Sequence, residues 1–178
     1  MTKKKKYSIV VCIYLIFLSL IVQAKSHFNI EEALRSTFGD PGNIETKEVK
    51  LGDNKKLIEE RLGYKLIENN FTFYLGKQEE RGIYYLVLRE QGKDGLIKFL
   101  ISIAESGSIN DIAVLESNET KGEGITKERF LRQFKGKTAR DPVSLKGDII
   151  AVTGATVSSK AAARAAKKAL IIWEEAFR

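Results

Sequence analysis

Phe71-Thr72-Phe73-Tyr74-Leu75 and Ile83-Tyr84-Tyr85-Leu86-Val87-Leu88 are two short runs dense in aromatic and β-branched residues, and they decide the fold. Such side chains fit a pleated, half-buried surface. The charged stretch from Gly76 to Gly82 reads as a connection, so the two runs predict a hairpin. Leu96–Ala104 and Ile109–Leu115 predict two further strands, joined at Ser106-Gly107-Ser108, a turn by composition. Consecutive strands joined by tight turns, with helical patterns before and after, imply an α+β domain. Its expected form is an antiparallel sheet with flanking helices and a long C-terminal helix.

Towards the C-terminus follow the glycine-containing loop Glu119-Thr120-Lys121-Gly122-Glu123-Gly124 and a short helix from Thr126 to about Phe134. Phe130, Leu131 and Phe134 form the inner face of that helix. The chain then reaches a small-residue turn, Val152-Thr153-Gly154-Ala155-Thr156, and a long helix to Phe177. Ala161–Ala169 is dense in alanine, which lets that helix pack closely. Towards the N-terminus, Asn29 is placed to cap a helix whose first turn carries Glu31 and Glu32, charges the dipole favours. Ile30, Ala33, Leu34 and Phe38 share one face, and Gly39-Asp40-Pro41-Gly42 stops it. A second helix is expected over about Asp53–Leu62, with Leu57, Ile58 and Leu62 as its buried stripe and Gly63 as a left-handed terminator.

Lys3, Lys4, Lys5 and Lys6 precede an unbroken apolar run from Tyr7 to Val22, followed by Gln23-Ala24. A basic start, an apolar stretch and a small residue at the end form the grammar of a secretory signal, with cleavage expected after Ala24. The run 7–22 also suits an N-terminal membrane anchor slightly shorter than a full span. Either way the lysines stay cytoplasmic and the rest is exported. The expected division is therefore 1–24 as signal peptide or anchor and 25–178 as one domain, on the periplasmic or cell-surface side. Loss of residues 1–24 takes four lysines and no acid, so the net charge falls from +7 to +3. So small a charge is no footprint for nucleic acid.

The single cysteine, Cys12, excludes an internal disulfide framework or a cysteine-based zinc or iron–sulfur site, and the single histidine, His27, makes a His-rich metal centre or a Ser/His/Asp triad hard to build. The acidic pairs Glu59-Glu60, Glu79-Glu80 and Glu174-Glu175 read as solvated charge. The segment Ala151-Val152-Thr153-Gly154-Ala155-Thr156-Val157-Ser158-Ser159-Lys160 suits an anion. It opens a helix, where free N–H groups and the positive dipole end meet the hydroxyls of Thr153, Thr156, Ser158 and Ser159. Gly154 and Ala155 let a ligand approach the backbone. The alternative is that the hydroxyls merely cap the helix and the glycine relaxes the turn.

Thr153-Gly154-Ala155-Thr156 resembles the signature Asp-x-x-Ser/Thr-Gly-Ala-Thr of the exported FMN-binding domains in Rnf and Na⁺-translocating NADH:quinone reductase complexes. The loop 119–124 is similar to that family's Glu-Thr-Pro-Gly-Leu-Gly, with Lys121 and Glu123 replacing Pro and Leu. Phe130-Leu131-Arg132-Gln133-Phe134-Lys135-Gly136-Lys137 is similar to its Phe-Leu-x-Gln-Phe-x-Gly-Lys. The resemblance implies an FMN cofactor, with Thr156 as the residue to which a flavin transferase couples the FMN phosphate. It also implies a cofactor-binding set of Thr153, Gly154, Ala155, Thr156, Ser158 and Ser159, with Glu119, Thr120, Gly122 and Gly124 in the loop beside the flavin. One position departs from it. The signature's Asp belongs to the pattern the transferase reads, and Ile150 stands there, with Asp148 the nearest acid. The implied function is an electron carrier serving a membrane redox complex or another donor or acceptor protein. No residue offers itself as base or nucleophile towards an organic substrate, which favours a carrier over a stand-alone enzyme such as a flavin-dependent reductase. A flavin-free extracytoplasmic binding or scaffold domain is the alternative.

Overall fold

The computed structural model describes residues 29–78, 81–120 and 123–178. The expected export segment, Cys12, His27, Glu79-Glu80, Lys121 and Gly122 lie outside them. Leu34–Arg178 forms one compact unit, and the residues before Leu34 do not belong to it.

Helix α1 (Ile30–Phe38) begins as the sequence implies, with the Glu32 N–H donating to Asn29 Oδ1 at 3.2 Å. Strand β1 (Glu45–Lys50) follows, then a short 3₁₀ turn and helix α2 (Lys55–Leu62), which ends on Gly63 at φ 75°. The sheet continues through β2 (Asn70–Gln78), β3 (Arg81–Gln91), β4 (Leu96–Ala104) and β5 (Ile109–Glu116). All neighbours are antiparallel and the spatial order is β1-β2-β3-β4-β5, an unbroken meander. The four expected strands are all present.

β1 was not expected. Its sequence, Glu-Thr-Lys-Glu-Val-Lys, carries one apolar residue, and only Val49 is part-buried. It holds its place by backbone pairing from Glu45↔Leu75 to Lys50↔Asn70. Its charged side chains also blunt the exposed edge of the sheet.

Helix α4 (Thr156–Phe177) lies across one face and builds the core. Register pairs Leu86 with Ile101 and Leu88 with Phe99, and these side chains meet Ala162, Ala165, Ala166 and Ala169 in one buried cluster. Alanines on the inner face let the helix axis come close to the sheet. At the helix's far end Trp173 and Phe177 surround Tyr84, at 5.6 and 4.5 Å between ring centroids. A side chain on Gly107, at φ 83°, would place its Cβ 2.5 Å from the Trp173 ring. On the opposite face Phe38 stacks on Tyr85.

One expectation about α2 and two about the acidic pairs need correction. Leu57 is exposed, while Ile58 is fully buried and Glu59 is buried beside it. Glu59 closes the following loop by accepting from the Leu66 N–H at 2.9 Å and Lys65 Nζ at 2.7 Å. Glu174 and Glu175 are likewise engaged, both held by the Arg61 guanidinium. The expected helix over 126–134 is a chain of three short turns, with α3 (Glu128–Leu131) between 3₁₀ turns at Glu123–Thr126 and Arg132–Phe134. Phe130 and Phe134 still point inward, edge to face at 5.5 Å.

Beneath α4 the core holds a charge cluster. Lys168, 3% exposed, binds Glu90 at 2.6 Å and reaches Glu68 at 3.4 Å. The Tyr64 hydroxyl lies beside it, its pKa pushed up by burial and by the Glu90 charge.

Candidate functional site

The small-residue turn closes when the Ala155 N–H donates to the Val152 carbonyl at 3.0 Å. Gly154 takes φ 79° within it, a conformation few side chains tolerate. A Cβ on Gly154 would meet nothing within 4 Å, so its backbone faces open space. Thr156 then begins α4 without any side-chain cap. The first helical N–H with an acceptor is that of Ser159, bound to the Ala155 carbonyl at 2.8 Å. The N–H groups of Thr156, Val157 and Ser158 find no acceptor among the described residues. Thr153, Gly154 and Thr156 are exposed, and Ala155 is buried. The arrangement offers three donors, one hydroxyl and the positive end of a long helix to an anion.

Ser158 and Ser159 are placed differently from the sequence reading. Both are buried and both face inward. Ser159 Oγ accepts from the Val152 N–H at 3.0 Å, which ties the turn to the helix it precedes. Ser158 Oγ donates to Glu119 Oε2, a short bond inside the protein. These hydroxyls shape the turn and are not free for a ligand.

Glu119 is the hub of a three-part junction. Its other oxygen, Oε1, accepts from the Asp94 N–H at 2.7 Å, in the tight turn between β3 and β4. Asp94 answers one residue on, where Oδ2 accepts from the Thr120 N–H at 3.1 Å and from Thr120 Oγ1 at 2.9 Å. Space allows only glycine at two flanking positions. A Cβ on Gly92 would stand 2.4 Å from Glu119 Oε1, and one on Gly124 would stand 2.4 Å from Val152 Cγ1. Glu119 and Gly124, the ends of the loop, therefore lie against the turn and the helix start that follows it. Gly122 lies outside the described residues.

Two residues of this frame escaped the sequence reading. Asp94 sits in an ordinary Gly-Lys-Asp-Gly turn. Gln133 carries a stronger signal, because its segment stood out as a whole. Its Oε1 accepts from the Ile150 N–H at 2.8 Å, and its Nε2 donates to the carbonyls of Ile150 and Phe130, each at 3.2 Å. Ile150 itself projects outward, 79% exposed, and Val157 beyond the turn is 48% exposed. Asp148 cannot stand in for an acid at position 150. It is bound to Lys137 at 2.7 Å and accepts from the Ser144 N–H at 3.2 Å. Burial opposes its charge, and those two partners outweigh burial and hold its pKa below the usual range.

The site is open. Two cavities among the described residues, about 710 and 260 Å³, are lined by residues of neither the turn nor the loop. The larger lies at the opposite end of the sheet, between Gly76, Gly82 and Glu105. No group of three or more His, Cys, Asp or Glu among the described residues is disposed to hold a metal ion. No helix among them is long and apolar enough to cross a membrane.

Residues 92–171, from the β3–β4 turn into α4, match the FMN-binding domain family. One component of the proton-translocating ferredoxin:NAD(+) oxidoreductase complex of Clostridium ljungdahlii is 30% identical over 123 residues, covering 64% of this chain and 66% of that protein. Its counterpart in the Na(+)-translocating ferredoxin:NAD(+) oxidoreductase complex of Acetobacterium woodii is 32% identical over 120 residues, covering 61% and 58%. The chain thus spans at most about two thirds of either relative. Among solved structures, NqrC of Shewanella oneidensis shares the fold with a TM-score of 0.54 at 14% identity, covering 82% of this chain and 85% of that one. A component of the Na(+)-translocating NADH-quinone reductase of Parabacteroides distasonis does so with a TM-score of 0.52 at 16% identity, covering 75% and 77%.

Proposed function

The chain belongs to the FMN-binding domain family, and from that membership we propose that the open turn at Thr153–Thr156 holds FMN by its phosphate, so that the domain carries electrons for a membrane redox complex. The observation that carries the reading is the set of N–H groups on Thr156, Val157 and Ser158 that find no acceptor among the described residues, beside an exposed threonine hydroxyl at the start of α4. A phosphate needs such donors, and the helix dipole adds to them. Gly154 leaves room for it. The flavin would supply one- and two-electron chemistry. The protein supplies position. Glu119 sits beside the helix start, where Ser158 and the Asp94 N–H hold its carboxyl.

Attachment through Thr156 extends the same proposal. Thr156 Oγ would accept the FMN phosphate from an activated anhydride supplied by a flavin transferase: the Oγ–P bond would form as the anhydride bond breaks, the hydroxyl proton would pass to solvent and the other phosphate would depart. The four lysines ahead of the 7–22 run support export, with the domain outside the cytoplasmic membrane.

Co-expression with a flavin transferase, followed by in-gel flavin fluorescence of the denatured chain, tests this. Thr156→Val should abolish the signal, and Thr153→Val should weaken it less. Ile150→Asp should raise the labelled fraction where recognition limits attachment. If neither wild type nor Ile150→Asp is labelled beside an active transferase, the covalent reading is wrong. Ile150 itself favours the second reading, a domain that has kept the fold and lost the covalent cofactor. An absence of FMN from the native protein as well, by absorbance, would select it.

A further inference from the structure

We propose that Gln133 is a positioning residue for flavin attachment, a clamp that presents residue 150 and Thr156 together to the protein that modifies the turn. The inference rests on the FMN reading above and goes beyond it. Residues 149–155 form neither helix nor strand, so no ladder of backbone bonds fixes their path. Their course is set by a few anchors. Ile149 N–H donates to the Ser144 carbonyl at 3.1 Å, and Val152 N–H to Ser159 Oγ at 3.0 Å. Between those anchors only Gln133 acts among the described residues. Its one amide takes both backbone groups of Ile150 and ties them to the Phe130 carbonyl across 17 positions of sequence.

The consequence is directional. With both backbone groups of Ile150 occupied, its side chain is left to point into solvent, and it is 79% exposed. Thr156, six residues on, is exposed as well. An enzyme that reads position 150 and modifies Thr156 must engage both at once. It gains if their relation is fixed before the encounter, because ordering a loose segment opposes binding. Gln133 sits on the turn that follows α3, whose Phe130 and Phe134 are buried. The clamp is thereby anchored in the core.

The test uses the full chain with the transferase and follows in-gel flavin fluorescence over time. Gln133→Leu removes all three bonds at similar volume. Its melting temperature should fall by several degrees while the chain stays folded at the assay temperature. Its KM as protein substrate should rise by roughly tenfold or more, with kcat little changed. Gln133→Glu keeps the acceptor for the Ile150 N–H and should fall between the two. The gain from Ile150→Asp should appear with Gln133 present and vanish in the Gln133→Leu background. In the unlabelled chain, the Ile150 amide of Gln133→Leu should exchange with solvent faster than in wild type. An unchanged KM in Gln133→Leu, or an equal gain from Ile150→Asp in both backgrounds, overturns the clamp and leaves the attachment reading standing. No labelling of any variant beside an active transferase removes both.

Discussion

Ser158→Ala cuts the bond that joins the loop to the helix start, and its cost can be worked from the structure. Ser158 is 1% exposed and its hydroxyl donates to Glu119, which is itself only 9% exposed. A hydrogen bond to a charged acceptor contributes about 1.5–3 kcal/mol. Alanine leaves almost no new cavity, so this bond is the main loss. For a domain of this size each kcal/mol moves the melting temperature by about 2–4 °C, which gives a fall of about 3–12 °C. Trp173, the single tryptophan, is buried against the sheet and reports unfolding by fluorescence. Urea titration of wild type, Ser158→Ala, Glu119→Gln and the double variant completes a cycle. The two residues are in contact, so the coupling should be about 1–2 kcal/mol. A loss below about 0.5 kcal/mol for Ser158→Ala, or additive single effects, would refute the hub assigned to Glu119.

Gly154→Ala should destabilise by about 1 kcal/mol or more through its φ of 79° alone, since no atom obstructs the new methyl; a urea midpoint equal to wild type would contradict this. Lys168→Met strands Glu90 in the core and should cost about 3–5 kcal/mol, whereas Lys168→Met with Glu90→Leu should recover most of it; equal losses by calorimetry in both would contradict the pairing. The Thr138 N–H and hydroxyl hold the Asp141 carboxyl below the usual range, and the Arg61 fork does the same for Glu174. The folded state therefore binds fewer protons than the unfolded one, so stability is fully present above about pH 5 and falls as pH drops through the native pKa values. Asp141→Asn should flatten that acid limb in urea midpoints taken from about pH 7 down to about pH 3.

The strands of the sheet could be read from the chain because β2 to β5 bury side chains on at least one face, and burial leaves a pattern. β1 leaves none. Its place depends on the free backbone edge of β2, which its own side chains do not announce. Leu57 and Glu59 exchanged their expected roles for a similar reason. A carboxylate that closes a loop on the Leu66 N–H is worth burying, and no periodicity records the donor that waits for it. At the candidate site, the turn at Gly154 and the helix start at Thr156 were legible because a helix start with small residues has a local signature. Ser158 and Ser159 were legible as residues but not in their direction. Their partners, Glu119 and the Val152 N–H, approach from other parts of the fold. Asp94 and Gln133 act at sequence distances of 26 and 17 residues, beyond what any local pattern encodes.

The openness of the Thr153–Thr156 turn bears on how long a flavin could stay there. A small molecule usually owes its residence to walls that enclose most of its surface. On the FMN reading the phosphate end would meet a few donors, and neither of two cavities among the described residues is lined by the turn. Held by those donors alone, FMN would equilibrate with its surroundings, and a dilute exterior would wash it away. An ester at Thr156 removes that dependence on supply, since a tethered cofactor cannot be diluted. A tether at the exposed Thr156 would also let a second protein approach the cofactor from the solvent side.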